Sequence, residues 1–138
     1  LQETVRPDRK QKRSCYCGRY DCVESWLAGP ALERSYKTSS DQKKDAASIV
    51  ALAENGDPCA LKVMDSYHQM LALAIANVIN ILDPQIIVLG GGMSNTDSLY
   101  AEVPGHLADH VFSDRVDTKI VQAKHGDSSG VRGAAWLW

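Results

Sequence analysis

The sequence begins without a methionine, carries no charged-then-apolar leader and holds no apolar run long enough to cross a bilayer. Its most apolar stretch, Met70 to Leu82, is interrupted by Asn77 and Asn80 and falls short of the roughly 20 residues a membrane helix needs. These absences argue against secretion and against a membrane role, and they lead us to expect a piece of a longer, cytoplasmic protein. Charge of one sign is lacking too: a net charge of -2 gives no global attraction for nucleic acid. Arg6, Arg9, Lys10, Lys12 and Arg13 do form a basic run, which reads as a solvated loop. Cysteines are few, and Cys15, Cys17 and Cys22 are clustered while Cys59 stands alone. A tight trio without a secretion signal suggests metal binding over disulfides, which two-residue spacing would also strain. What is present is ordinary: 138 residues, 44% hydrophobic and 23% charged, enough for one domain with a real core.

Leu1 to Ser14 has no hydrophobic period and reads as a loop. After Cys22 the apolar residues Val23, Trp26, Leu27, Ala31 and Leu32 recur at helical spacing, with Gly29-Pro30 as an interruption. Lys37 to Lys44 is polar and turn-like. Asp45 can cap a short helix with Ala46, Ile49, Val50 and Ala53 on its apolar face, and Asn55-Gly56 is a stop signal. Asp57 as N-cap and Pro58 at the first position open a long helix carrying Leu61, Met64, Tyr67 or His68, Leu71, Ile75, Val78 and Leu82, whose end is apolar nearly all round and should be buried. Asp83-Pro84 ends it. Ile86 to Leu89 is a continuous apolar run, the pattern of a strand covered on both faces, and Gly90-Gly91-Gly92 follows at once. A helix is expected from about Asn95 to Phe112 with a kink at Pro104-Gly105, then a strand over Thr118 to Ala123, then a short helix over Gly130 to Trp138 opened by Asp127 or Ser128. This order makes an α/β layer whose remaining strands would lie before Leu1.

Three thiolates in Cys15-Tyr16-Cys17-Gly18-Arg19-Tyr20-Asp21-Cys22 can converge on a tetrahedral zinc at about 2.3 Å per sulfur, with Gly18 allowing a sharp turn. Unliganded or oxidised thiols are the alternative. Three ligands leave one position for a catalytic water or a further residue; His68, His106, His110 and His125 are remote in sequence and read as core or surface histidines. Glu24, two residues after the last cysteine, is either a simple helix-start carboxylate or a rigidly held acceptor for a ligand's hydroxyls. Gly90, Gly91 and Gly92 at a strand's end make either a tight turn or a close approach for a nucleotide. They match neither the Walker pattern nor the dinucleotide spacing. His125 to Gly130 reads as a turn plus N-cap that could also face an anion, and Trp26, Trp136 and Trp138 read as core or interface residues.

Cys-x-Cys-Gly-x-x-x-Cys-x-Glu at 15–24, Asn80-Ile81-Leu82-Asp83-Pro84 leading into Ile87-Val88-Leu89-Gly90-Gly91-Gly92, and the Gly133-Ala134-Ala135 ending together resemble the ROK family of bacterial sugar kinases and repressors over almost the whole chain. The tail from Lys124 to Trp138 most resembles the fructokinase branch. The resemblance implies the C-terminal lobe (23–138) of an actin-like, ribonuclease H-like sugar kinase, preceded by a loop and zinc-binding segment (1–22). It implies that Cys15, Cys17 and Cys22 hold a structural zinc with an upstream histidine, that Glu24 contacts sugar hydroxyls, and that Gly90, Gly91 and Gly92 lie on the adenosine side of ATP. The catalytic base and the phosphate loop belong to the N-terminal half, so no catalytic residue is assigned here and this chain alone should be inactive. The reaction implied is transfer from Mg-ATP to the 6-hydroxyl of fructose, by a homodimer. Kinases for N-acetylglucosamine, mannose or glucose, a sugar-responsive repressor with a preceding helix-turn-helix, and a stand-alone zinc module are the rivals. One departure is Asp21, where the family usually has glycine; aspartate tolerates the left-handed conformation that position requires.

Overall fold

The computed structural model describes residues 12–137; Arg6, Arg9, Lys10 and Trp138 lie outside the described residues. The chain divides into two compact units, one through Leu71 and one from Ala72.

In the first unit the cysteine loop leads into α1 (Glu24–Leu27), α2 (Gly29–Ser40), α3 (Ala46–Glu54) and the start of α4 (Pro58–Leu82). Gly29-Pro30 separates two helices: Ala28 is extended, and Pro30 enters the first turn of α2, where its missing N–H is no loss. The polar stretch after Tyr36 does not turn, as expected, but continues α2 to Ser40. Tyr36 is buried, and the hydroxyls of Ser35, Thr38 and Ser40 each donate to the carbonyl four residues back, at 3.0, 2.9 and 2.8 Å, so these residues are satisfied inside a helix. Asp41, at φ 57, ends it.

Both expected caps are present. The Asp45 carboxylate accepts from the Ser48 N–H at 2.7 Å, which holds its pKa below the usual value, and Asp57 accepts from the Ala60 N–H at 2.7 Å. The core of this unit is formed by Trp26, Ala31, Leu32, Tyr36, Ile49, Ala60, Val63, Met64 and Tyr67. Met64, Tyr67, His68 and Ile75 of the expected inward stripe of α4 are buried, whereas Leu61 and Val78 are exposed and their neighbours Ala60 and Ile79 face inward instead.

In the second unit α4 ends at Asp83, again in a left-handed conformation at φ 42. The expectation that its end is buried fails: Ile81 and Leu82 are exposed. Strands β1 (Ile86–Leu89) and β2 (Lys119–Gln122) pair in parallel, Ile86 opposite Lys119 and Val88 opposite Val121. Coverage of both faces of β1 also fails among the described residues, because Ile86 is 54% and Val88 59% exposed while Ile87 and Leu89 are half-buried. Parallel sheets are normally covered on both sides, and the described residues supply only two strands and a cover for one face.

Between the strands a 3-10 turn (Gly92–Asn95) precedes α5 (Ser98–Leu107), which lies against β2 and buries Leu99, Val103 and Leu107. Pro104 sits inside α5, which stops at Leu107 instead of running to Phe112; Phe112 is held by its backbone N–H to the Asn80 carboxamide at 2.8 Å. The last helix, α6 (Ser129–Ala135), lacks the expected side-chain cap: the Ser128 hydroxyl turns to the Asp127 carboxylate at 3.1 Å. Trp26 is core, but Trp136 is exposed. No helix among the described residues is long and apolar enough to cross a membrane.

Candidate functional site

The cysteine loop is closed by backbone bonds. Ser14 and Tyr20 form an antiparallel bridge, the Cys15 N–H donates to the Arg19 carbonyl at 2.8 Å, and the Gly18 N–H donates to the Cys15 carbonyl at 3.1 Å. Gly18 is at φ 81, which fulfils the need for a sharp turn, and Asp21 is at φ 56, the left-handed conformation expected from the family's glycine at that position. The three sulfurs converge: all lie within 4.8 Å of one another, and those of Cys17 and Cys22 are 3.5 Å apart. Sulfurs on a tetrahedral zinc at 2.3 Å each would be about 3.8 Å apart. The set therefore fits zinc in chemistry and spacing. No further described residue of the first unit joins it, which leaves the fourth position to another ligand.

Cys17 is held below the usual thiol range, first by the Arg19 backbone N–H and then by hydrogen bonding with Cys15 and Cys22, whereas hydrogen bonding with Cys17 and then Cys15 raises Cys22 to about 11.

Glu24 is exposed and is the first residue of α1. Its backbone is fixed from both sides: the Ser25 N–H and hydroxyl donate to the Cys22 carbonyl at 2.9 and 2.7 Å, and the Ala28 N–H donates to the Glu24 carbonyl at 3.2 Å. The end of α1 is tied down by the Tyr67 hydroxyl, which donates to the Leu27 carbonyl at 2.6 Å. Tyr16 stands beside Glu24; the Glu24 charge, then that of Cys15, raises its pKa. The backbone that carries Glu24 is thus fixed, and its side chain is exposed and next to a phenol.

In the second unit the glycine run sits at the C-terminal end of β1, the edge at which open parallel sheets receive ligands. Gly91, at φ 82 and ψ 171, occupies a conformation open essentially to glycine alone. Its N–H donates to the Asp127 carbonyl at 2.9 Å, joining the loops that follow β1 and β2. Ser94 donates to the Gly91 carbonyl at 2.7 Å, and the buried-side hydroxyl of Tyr100 donates to the Ser94 carbonyl at 2.7 Å. Gly90 and Gly92 do not share that conformation, and a Cβ at any of the three would meet nothing within 4 Å. Among the described residues nothing in the packing demands glycine there.

A cavity of about 730 Å³ opens at the other end of the same two strands, lined in part by Asn80, Asp83, Arg115 and Lys119. It contains none of the expected zinc, sugar or nucleotide residues, although Asn80, Asp83 and Pro84 belong to one of the family motifs. Arg13 and Asp127, read from the sequence as part of a solvated basic run and as a helix opener, support the candidate sites together with Ser94 and Tyr100, which the sequence did not mark as site residues. Their roles depend on contacts across a fold, and no local spacing announces them.

The family model described as "ROK family" matches residues 4–138. The chain is 40% identical over 123 residues to the N-acetyl-D-glucosamine kinase of Vibrio cholerae serotype O1, covering 89% of this chain and 41% of that protein. It is similar in fold to a ROK family glucokinase from Streptomyces griseus crystallised with glucose and AMPPNP, with a TM-score of 0.79 and 21% identity over 88% of this chain and 45% of that one. A ROK family transcriptional regulator, a homologue of the E. coli MLC protein, matches with a TM-score of 0.67 and 26% identity over 84% of this chain and 32% of that one. The chain thus spans about 41% of the length of the curated relatives it matches. Those relatives are named for N-acetyl-D-glucosamine, which does not support the fructokinase expectation drawn from the tail. The order of motifs, the parallel strand pair ending in glycines and the matched residues agree: this chain belongs to the ROK family.

Proposed function

We propose that this chain is the C-terminal portion of an ATP-dependent sugar kinase, with N-acetyl-D-glucosamine as its sugar. The observation that carries the reading is the 40% identity to N-acetyl-D-glucosamine kinases over 89% of the chain. Glu24 is the sugar contact. An ionised carboxylate accepts two or more hydroxyl hydrogen bonds, and fixing it from both sides keeps it where a sugar ring can be oriented for in-line attack. Gly90, Gly91 and Gly92 form the nucleotide side, where glycines that the packing does not require leave the backbone open to close approach. Cys15, Cys17 and Cys22 hold a structural zinc that stiffens the segment before Glu24.

In the reaction a sugar hydroxyl, the 6-hydroxyl in this reading, attacks the γ-phosphorus of Mg-ATP. The bond to the ADP oxygen breaks, and the proton leaves to a base outside this chain. Magnesium neutralises charge on the transferring phosphoryl group. The residues of this chain bind and orient and do not themselves move the proton.

The test is a panel of N-acetylglucosamine, N-acetylmannosamine, glucose, mannose and fructose with ATP and the intact protein, alongside Glu24→Ala. The highest kcat/KM is expected on N-acetylglucosamine. Glu24→Ala should raise the sugar KM at least about tenfold, the loss of one or two charge-assisted hydrogen bonds, with little change in the ATP KM. Preference for fructose would overturn the sugar assignment, and an unchanged sugar KM would remove Glu24 from the site. The likeness to a transcriptional regulator gives a second reading, in which the intact protein has no kinase activity and binds DNA in a sugar-dependent manner.

A further inference from the structure

We propose that Asp21, Arg13 and Trp26 form a latch, independent of any metal, that sets the three cysteine sulfurs in place before a cation binds. The proposal rests on reading the trio as a zinc site.

The latch lies just outside the Ser14–Tyr20 bridge, at the neck of the cysteine loop. Asp21 and Arg13 grip each other twice there: the Asp21 N–H donates to the Arg13 carbonyl at 2.8 Å, and the Arg13 N–H donates to the Asp21 carboxylate at 3.1 Å. The same carboxylate oxygen also accepts from the Trp26 indole N–H at 3.3 Å. The Arg13 guanidinium lies 3.7 Å from the centre of the Trp26 ring and donates to the Ser25 carbonyl at 3.3 Å and the Ser35 hydroxyl at 2.9 Å. Trp26 is only 7% exposed, so this anchor is part of the core. The neck is thereby tied to α1 and α2 without the participation of any sulfur.

The chemistry of position 21 separates this role from ordinary loop geometry. Backbone at φ 56 is cheapest for glycine, the residue expected there from the family resemblance. Glycine would supply the turn but neither side-chain bond. Aspartate accepts some conformational strain and gains an acceptor that holds both Arg13 and Trp26. Ordering the loop beforehand removes part of the entropy loss that three separately moving thiolates would meet on binding a cation. Glu24, which stands between Asp21 and Trp26 in the chain, is mounted on the same support.

Two variants of the full-length protein test this. Asp21→Gly keeps the left-handed backbone available and removes both side-chain bonds; Asp21→Asn keeps an acceptor oxygen. Zinc affinity is measured by competition with a chelator, and amide hydrogen exchange at Cys15 and Asp21 is followed in the zinc-stripped protein. Asp21→Gly is expected to bind zinc about tenfold more weakly, with Asp21→Asn recovering most of the loss. The two amides should be protected in zinc-free wild type and unprotected in Asp21→Gly. Equal zinc affinity of wild type and Asp21→Gly overturns the latch. A wild-type protein that binds no zinc overturns the metal reading instead, and the exchange data, which need no metal, tell the failures apart: protection lost in Asp21→Gly supports the latch, and equal exchange overturns it.

Discussion

Removing one oxygen atom, from Tyr67, measures how firmly α1 and its Glu24 are held. The Tyr67 ring is buried on α4, and its hydroxyl donates at 2.6 Å to the Leu27 carbonyl, 40 positions away in sequence. Helix α1 has only four residues and cannot persist on its own helical propensity, so ties of this kind keep it formed. Tyr67→Phe preserves the ring packing but deletes the donor and leaves a half-buried carbonyl without its partner. A hydrogen bond of this kind contributes about 1 kcal/mol net, and the abandoned carbonyl adds up to about as much again, so the loss should be about 1–2 kcal/mol. With a urea dependence of about 1–3 kcal/mol per molar, the unfolding midpoint of the intact protein should fall by about 0.5–1 M. Alkali supplies a second signature. Burial pushes the Tyr67 phenol from 10.0 to about 12. A group whose folded pKa is raised stabilises fully below the unfolded pKa, and that stabilisation is lost as pH rises through the folded value. The gap between wild type and Tyr67→Phe should therefore narrow from pH 10 toward pH 12. Urea melts at pH 7, 10 and 11 read both effects; identical midpoints at pH 7, or a gap that stays constant into alkali, would refute the reasoning.

Two further outcomes follow from particular contacts. Asp57→Ala removes the acceptor for the Ala60 N–H at the start of α4 and should lower stability by about 1 kcal/mol in a thermal melt; an unchanged melt would mean that the cap contributes nothing. Zinc binding should release protons and strengthen as pH rises, because Cys22 starts well above the usual thiol range and must be deprotonated to ligate; zinc uptake in weakly buffered solution with no acidification would exclude thiolate ligation.

What was legible in the sequence is what local chemistry dictates. Asp45 and Asp57 announced helix starts, Asp83-Pro84 announced a stop, and the apolar run after it announced β1, because each depends on neighbours within a few positions. The extension of α2 to Ser40 was not legible, since it depends on hydroxyls bonding back along a helix that Tyr36 anchors in the core. The inward stripe of α4 was blurred for a related reason: small residues such as Ala60, Ala72 and Ala76 are buried while the larger Leu61 and Val78 are not, so size and burial part company along that helix. At the cysteine loop the clustering of the three sulfurs was legible from spacing, and the left-handed Asp21 from the glycine that the family resemblance puts there. Arg13 was not: in sequence it belongs to a basic run, and only the fold lays it over Trp26.

The same distinction explains why the family was readable and the sugar was not. Cys15, Cys17, Cys22, Glu24 and Gly91 lie in the motifs that carry the family resemblance, and in the role proposed for Glu24 a carboxylate accepting hydroxyl hydrogens would suit any hexose. The tail that suggested fructose has other duties. In it Gly126 takes φ 83 to make a turn, Ser129 donates to the Gly126 carbonyl at 2.6 Å, and Asp127 offers its carbonyl to Gly91. Val131 and Leu137 are exposed, so their identities are not constrained by packing among the described residues. Residues occupied with turns and backbone bonds record the shape of the second unit, not the stereochemistry of a sugar. Discrimination between an acetamido group and a hydroxyl needs a side chain aimed at the atom that differs, and a site built for the one leaves polar groups unpaired against the other. The turns and backbone bonds of the tail therefore do not select a sugar, whereas the 40% identity over 123 residues is to a kinase named for N-acetyl-D-glucosamine.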